Sequence, residues 1–392
     1  MVMRTWTDEE RAAVWLSMMP LVGPAAAWKL REYAGSLAGV KKLGEGDLEA
    51  SGAFRNAPVT LARWRERRVT DEEEAGVLRR MENQDIRVIL PGSAEYPDKL
   101  ARLPDPPAWL FVRGSLPDPA RPCAAVIGAR AASAYGRQEA GAVGSFLAEN
   151  GIQVVSGMAF GIDGCCQEAV LRSGGRTFAV LGCGLNICYP RENRELYSRI
   201  PARGGLISEY PLDKEPLRWH FPVRNRLISG LADLVLVVEA RKRSGSLITA
   251  DLALDQGKEV MAFPGYRTSP LSEGTNRLIR VGAGIVTSFQ DILDVFGIAR
   301  AKGPDSVSLK EKAASGLAKP EKMVYSAIDL RPKSVDELIH TTGLSQGECL
   351  KAVFRLEQLG LVCQSSNQYY VRAIALTGDN SVLPLHYHQK GS

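Results

Sequence analysis

Positive charge, small hydroxyls and a glycine meet in the stretch EARKRSGSLITA, residues 239–250. Arg241, Lys242 and Arg243 stand directly before Ser244-Gly245-Ser246, and Thr249 follows. A glycine lets a backbone approach a ligand closely. Hydroxyls and amide N–H groups at a helix start favour an anion, and a guanidinium forks onto its oxygens. These residue types together suit the binding of phosphate.

The same ingredients recur along the chain. GARAASAYG supplies Gly128, Arg130 and Ser133. SGMAFGID supplies Ser156, Gly157 and Gly161, and GCGLNICYPREN supplies Gly182 and Gly184. HFPVRNRLISG brings Arg224, Asn225 and Arg226 to a helix start, and FPGYRTSPLSEGTNRLI brings Gly265, Gly274 and Asn276. One such loop is usually just a turn; the repetition is the signal. The P-loop pattern is absent, since the one Gly-Lys pair, Gly257-Lys258, is followed by Glu259. The first of these loops also lacks G-x-G-x-x-G. Cations spread over several loops suit a chain of phosphates better than one pyrophosphate. Tyr189 and Phe160 offer faces on which unpaired bases can stack, although packing explains each equally well.

These loops need a scaffold. Between residues 120 and 298, short apolar runs (CAAVIG, IQVVSG, TFAVLG, GGLIS, ADLVLVVEA, KEVMAF) alternate with helical patterns. That alternation predicts an α/β fold with a parallel sheet, whose ligands sit at the carboxyl ends of the strands. Residues 1–80 read as a helical module, with Thr7 and Glu10 as a capping box and Gly35 as a helix stop. Residues 86–115 form a proline-rich entry segment with two short strands, IRVIL and AWLFV, and the α/β region as a whole spans 86–298. A polar linker, 299–317, leads to a compact module at 318–373. Three helices, with boxes at Ser334/Glu337 and Ser345/Glu348, and a hairpin around Asn367 suggest a winged helix there. A tail, 374–392, follows and reads as disordered.

Whole-chain properties narrow the class. The 392 residues carry a formal charge of +5, so any case for a polyanionic partner rests on local clusters. Seven cysteines, no apolar leader and no run long enough to span a bilayer predict a reduced, cytoplasmic protein with no membrane partner. Cys165-Cys166 and the Cys183/Cys188 pair are poor matches to zinc spacing, and His386 and His388 sit in the tail, so no metal is expected. His220 and His340 accompany no G-x-S-x-G elbow, and Asp163 and Glu239 read as loop-ordering carboxylates. In the winged helix, Lys351 and Arg355 are offset by Glu348 and Glu357, which favours protein contact or dimer regulation over groove reading.

Taken in order, YPDKL, DPPAWLFVRG, VIGAR, VVSGMAFGID, AVLGCGLNICYPREN, SEYP, FPVRNRLISGL, VVEA, SGSLITA, FPG and GTNRLI resemble the DNA-processing protein A family, DprA or Smf, over about residues 95–285. The resemblance implies a sterile-alpha-motif-like helical domain, an extended Rossmann fold and a winged helix. It also implies a single-stranded DNA binder that protects incoming strands during natural transformation, loads the recombinase RecA and acts as a homodimer, with no catalysis and no cofactor. By position it assigns DNA backbone to Arg130 and Arg176. It matches Arg224 and Arg226 to an RNR element, and Ser244, Gly245, Ser246 and Thr249 to a second element. Phe160 stands where the family often has arginine, and Gln167 where it often has histidine. An alternative is a nucleotide phosphoribohydrolase on a related fold. Such an enzyme is expected to carry PGGxGT and a following glutamate, which SGSLITAD lacks.

Overall fold

The computed structural model describes residues 5–20, 22–55, 61, 62, 64, 66, 67, 69–299, 316–329, 331–366 and 368–373. Asn367, most of the expected linker and the tail with its two histidines lie outside the described residues. Contacts divide the chain into two units, 1–132 with 143–299, and 133–142 with 300–392.

The first unit begins with helices α1 (Asp8–Met18), α2 (Pro24–Ala34), α3 (Leu37–Val40), α4 (Glu45–Ala50) and α5 (Asp71–Asn83). The Thr7/Glu10 box starts α1 and a second box, Thr70/Glu73, starts α5; Gly35 ends α2 in the left-handed conformation. Glu74 of α5 is fully buried and accepts from Arg11 Nε at 2.8 Å and from Lys41 Nζ.

A nine-stranded sheet follows. Its strands are β1 (Ile86–Ile89), β2 (Leu110–Gly114), β3 (Cys123–Ile127), β4 (Gln153–Ser156), β5 (Thr177–Val180), β6 (Gly205–Ser208), β7 (Leu234–Val237), β8 (Glu259–Ala262) and β9 (Gly284–Ile285), in the order 1-2-6-5-4-3-7-8-9. From β6 to β9 all neighbours are parallel; β2 joins β6 antiparallel and β1 extends that edge. Sequence reading finds the β1 and β2 runs, but their place in this sheet depends on non-local pairing such as Val112 with Ile207.

Residues of β3 to β7 are buried throughout, as expected of parallel strands covered on both faces. Alternate side chains serve two cores. Phe111, Ala179, Leu181 and Leu206 face the N-terminal helices, sharing a cluster with Leu16, Leu30, Leu78 and Met81. Leu110, Phe178, Val180 and Ile207 face the other way. The N-terminal helices thus share a continuous core with the sheet.

The remaining helices are α6 (Asp98–Ala101), α7 (Ala134–Glu149), α8 (Ile162–Arg172), α9 (Arg194–Arg203), α10 (His220–Leu231), α11 (Gly245–Asp255), α12 (Glu273–Arg280) and α13 (Gln290–Phe296). Strand order runs one way from β3 to β6 and the other way from β7 to β9. The carboxyl ends of β3 and β7 therefore flank a topological switch point, where open α/β sheets place their ligands. Among the described residues, no helix is long and apolar enough to cross a membrane.

The second unit contains α14 (Lys319–Ala327), β10 (Lys333–Ser334), α15 (Val335–Thr342), α16 (Gln346–Gln358), β11 (Val362–Ser366) and β12 (Tyr369–Arg372) in a winged-helix arrangement. Its sheet has the order β10-β12-β11, one short strand more than the expected hairpin. Val324, Leu338, Val353, Leu356 and Val362 form its core, and both expected capping boxes are present.

Candidate nucleic-acid interface

At the switch point lies a cleft of about 680 Å³. Its wall contains five arginines, Arg130, Arg218, Arg224, Arg241 and Arg243, against a single carboxylate, Asp163.

The loop after β3 contributes Gly128 and Arg130. A Cβ at Gly128 would lie 2.5 Å from Ile162 Cγ1 and 3.0 Å from the Glu239 carbonyl, so only glycine lets α8 approach this closely. Gly161, at φ +75°, packs against the Ala129 and Arg130 carbonyls and fixes the same loop. Arg130 is exposed, lies 5.2 Å from the Phe221 ring centre and has no carboxylate at ion-pair distance among the described residues. Ser133 caps its helix: the Gly136 N–H donates to Ser133 Oγ at 3.0 Å.

The RNR element divides in two. Successive helical residues turn by about 100°, so Arg224 and Arg226 leave α10 on nearly opposite sides. Arg224 enters the cleft floor and donates to the Gly157 carbonyl at 3.1 Å and to the Val180 carbonyl, while its buried Nε has no protein partner. Burial pushes its pKa down to about 10, with Asp163 the main opposing influence, so it stays charged at neutral pH. Asp163 accepts from the Gly157 N–H at 3.1 Å; burial pushes its carboxyl up, opposed first by Arg224. Arg226 points elsewhere and is bound bidentately by Glu209 at 2.5 and 2.7 Å and by Asp105 at 2.8 Å. With 4% exposure it is an internal strut, a correction to its expected place on the phosphate rim. Asn225, by contrast, stays in the cleft wall, largely buried, with its Nδ2 3.4 Å from the Gly245 carbonyl.

The 239–250 stretch follows β7 and runs into α11. Ser244 is the N-cap of α11, its Oγ accepting from the Ser246 N–H at 3.4 Å and lying 2.7 Å from Ser246 Oγ. Gly245 lines the cleft, and a Cβ there would meet nothing within 4 Å. Gly245 is not among the positive-φ glycines, so no turn requires it; its smallness leaves the helix start open. Ser246 and Thr249 are buried in the same wall. Arg241 and Arg243 are exposed, whereas Lys242 lies 3.8 Å from Glu273.

Other expected residues stand outside the cleft. A Cβ at Gly182 would lie 3.0 Å from the Phe221 ring, and one at Gly184 would lie 2.4 Å from the Pro211 carbonyl. Asn276 closes its own loop, its Nδ2 donating to the Gly265 carbonyl at 3.0 Å while its Oδ1 accepts from the Gly265 N–H at 3.2 Å. Arg176 precedes β5 at the amino end of the sheet and donates to Ser115 Oγ at 3.1 Å. Six residues at ~3.3 Å each separate it from Gly182, so it is on the order of 20 Å from the cleft rim.

Arg218, Trp219 and Phe221 were missed by sequence reading. The Phe221 ring carries Arg130 on its face and Arg224 at 5.8 Å, with Tyr189 5.5 Å away. Trp219 is 66% exposed beside this wall. The available signal was RWHF, an arginine followed by aromatics, two residues before the RNR element. His220, in the same stretch, is buried, stacks on Tyr210 at 4.1 Å and shares its Nδ1 between the Gly182 and Glu215 carbonyls.

The family described as DNA recombination-mediator protein A matches residues 87–297. The Smf protein of Escherichia coli K12 is 38% identical over 285 residues, covering 72% of this chain and 76% of that protein. The DNA processing protein DprA of Streptococcus pneumoniae R6 is 44% identical over 201 residues, covering 51% and 71%. The X-ray structure of DprA from Streptococcus pneumoniae superposes with a TM-score of 0.63 at 35% identity, covering 74% of this chain and 98% of that one. With half the chain matched and the Rossmann-like sheet shared, this chain belongs to the DNA recombination-mediator protein A family, whose relatives are named DprA and Smf.

Proposed function

We propose that the chain binds single-stranded DNA along the carboxyl-end cleft, and that it acts by holding a strand rather than by changing it. The observation that carries this reading is the cleft wall: five arginines against one carboxylate, with the open start of α11 and the Tyr189–Phe221 face beside them. Phosphates would meet the arginines and helix N–H groups, and unpaired bases would reach the aromatic face. A duplex keeps its bases stacked inside, so it gains only the charge term. The sole carboxylate of the wall, Asp163, is occupied by the Gly157 N–H and faces Arg224, which supports a structural rather than an acid–base role. In this reading the protein shields incoming strands during transformation, works as a homodimer and hands its strand to RecA.

The test is an anisotropy titration of labelled oligothymidine against a hairpin duplex of equal charge, repeated over a range of salt. Tighter binding to the single strand, weakening steeply with salt, supports the proposal. Equal affinity for both forms, or none at low salt, refutes it. Hand-over is read from the rate of RecA filament growth on strands preloaded with the protein, and dimerisation from sedimentation equilibrium.

A further inference from the structure

The loop that carries Tyr189 is anchored from the N-terminal helices. Arg80 of α5 grips Asp213 with two bonds of 2.6 Å. Asp213 stands at φ 65° in the loop after β6. Its N–H donates to Asn186 Oδ1 at 2.9 Å, and Asn186 Nδ2 donates back to Asp213 Oδ1 at 2.8 Å. Between these two loops the Gly184 N–H donates to the Lys214 carbonyl at 2.9 Å. Below them Leu181, Cys183, Leu185 and Leu212 share one core with Leu78 and Met81 of α5. Tyr189 lies three residues beyond Asn186 and packs on Phe221, which carries Arg130.

From this chain of contacts we infer that Arg80, acting through Asp213 and Asn186, is a positioning residue for the Tyr189 wall of the cleft, although it does not line the cleft itself. A carboxylate held bidentately by arginine has one preferred orientation, and the reciprocal amide pair passes that orientation to the 182–190 loop. The N-terminal helical layer thereby sets where the aromatic wall stands. The role given to Tyr189 rests on the strand-binding reading above; the anchoring of its loop does not.

The experiment compares Arg80→Ala, Arg80→Lys and Tyr189→Ala with the double variant Arg80→Ala/Tyr189→Ala in the full-length protein. Amide exchange over residues 182–190 reads anchoring, and oligothymidine affinity reads its consequence. Arg80 is 45% and Asp213 59% exposed, so the fold should survive and melting should shift only slightly. Arg80→Ala is expected to speed exchange in the loop and weaken strand binding about three- to fivefold. Arg80→Lys, which keeps the charge but not the fork, should recover part of both. In the Tyr189→Ala background the Arg80 substitution should cost no further affinity, because coupled residues are non-additive. Unchanged exchange in Arg80→Ala, or losses that multiply in the double variant, would overturn the inference. If the unaltered protein bound no strand, the exchange result would still decide the anchoring, while the functional reading alone would fall.

Discussion

Two arginines, one exposed and one buried, make the sharpest test of which cations would meet DNA in the proposed reading. Arg130 and Arg226 each carry one positive charge, and the sequence offers each as a phosphate contact. Arg130 is exposed over Phe221, whereas Arg226 is 5% exposed at its side chain and held by Glu209, itself 11% exposed, and Asp105. In the proposed reading, removing Arg130 deletes one phosphate contact. The dependence of log affinity on log salt should then flatten by roughly 0.7, and at physiological salt affinity should fall about fourfold from counterion release alone. Its melting temperature should not move, since no carboxylate loses a partner. Arg226→Ala instead leaves the Glu209 carboxylate buried without its counterion, a loss of about 3–5 kcal/mol. Melting should drop by roughly 10 °C or more. The protein that remains folded should keep the full salt slope. The assay is a salt titration of oligothymidine binding beside a thermal melt for each variant. A flattened slope for Arg226→Ala with unchanged melting, or an unchanged slope for Arg130→Ala, would refute the assignment.

Gly245→Ala adds a methyl in open space at the first position of α11, so melting should hold or rise slightly, yet strand affinity should fall about tenfold or more as one charge-assisted contact to the backbone is obstructed. Gly128→Ala should do the reverse in a melt, losing stability because its Cβ meets Ile162. Asp213 has its carboxyl pKa held below the ordinary value, first by Arg80, so its stabilisation is present above about pH 4 and is lost as pH falls through the lower folded value. Asp213→Asn should therefore reduce the difference in melting between neutral and acid pH; an unchanged difference would contradict this. Trp219, exposed beside the cleft, should have its fluorescence quenched by saturating oligothymidine, and Trp219→Ala should abolish that signal while leaving melting unchanged.

What the sequence discloses about this molecule follows the range of the interaction involved. The capping boxes at Thr7, Ser334 and Ser345 are set by residues three apart and stand where the pattern predicts. The passage from β7 into α11 was legible for the same reason, since Ser244 caps a helix whose apolar run is contiguous. The parallel sheet and its glycine loops were legible from alternation alone. By contrast, RNR alone does not reveal that Arg226 faces Glu209 and Asp105, because those partners lie 17 and 121 residues away. Nor does glycine content separate Gly128, which packing requires, from Gly245, which it does not. The Arg80–Asp213 grip joins residues 133 apart and left no local trace. Phe221 was obscured by its neighbours, since an aromatic between histidine and proline reads equally well as core.

Photo-crosslinking of halogenated oligodeoxyuridine, with the adducts located by mass spectrometry, tests the central claim most directly. If the strand lies along the carboxyl-end cleft, adducts should fall on Tyr189, Trp219 and Phe221 and should disappear under competing unlabelled strand. Adducts confined to the winged helix or to the amino end of the sheet around Arg176 would contradict the account.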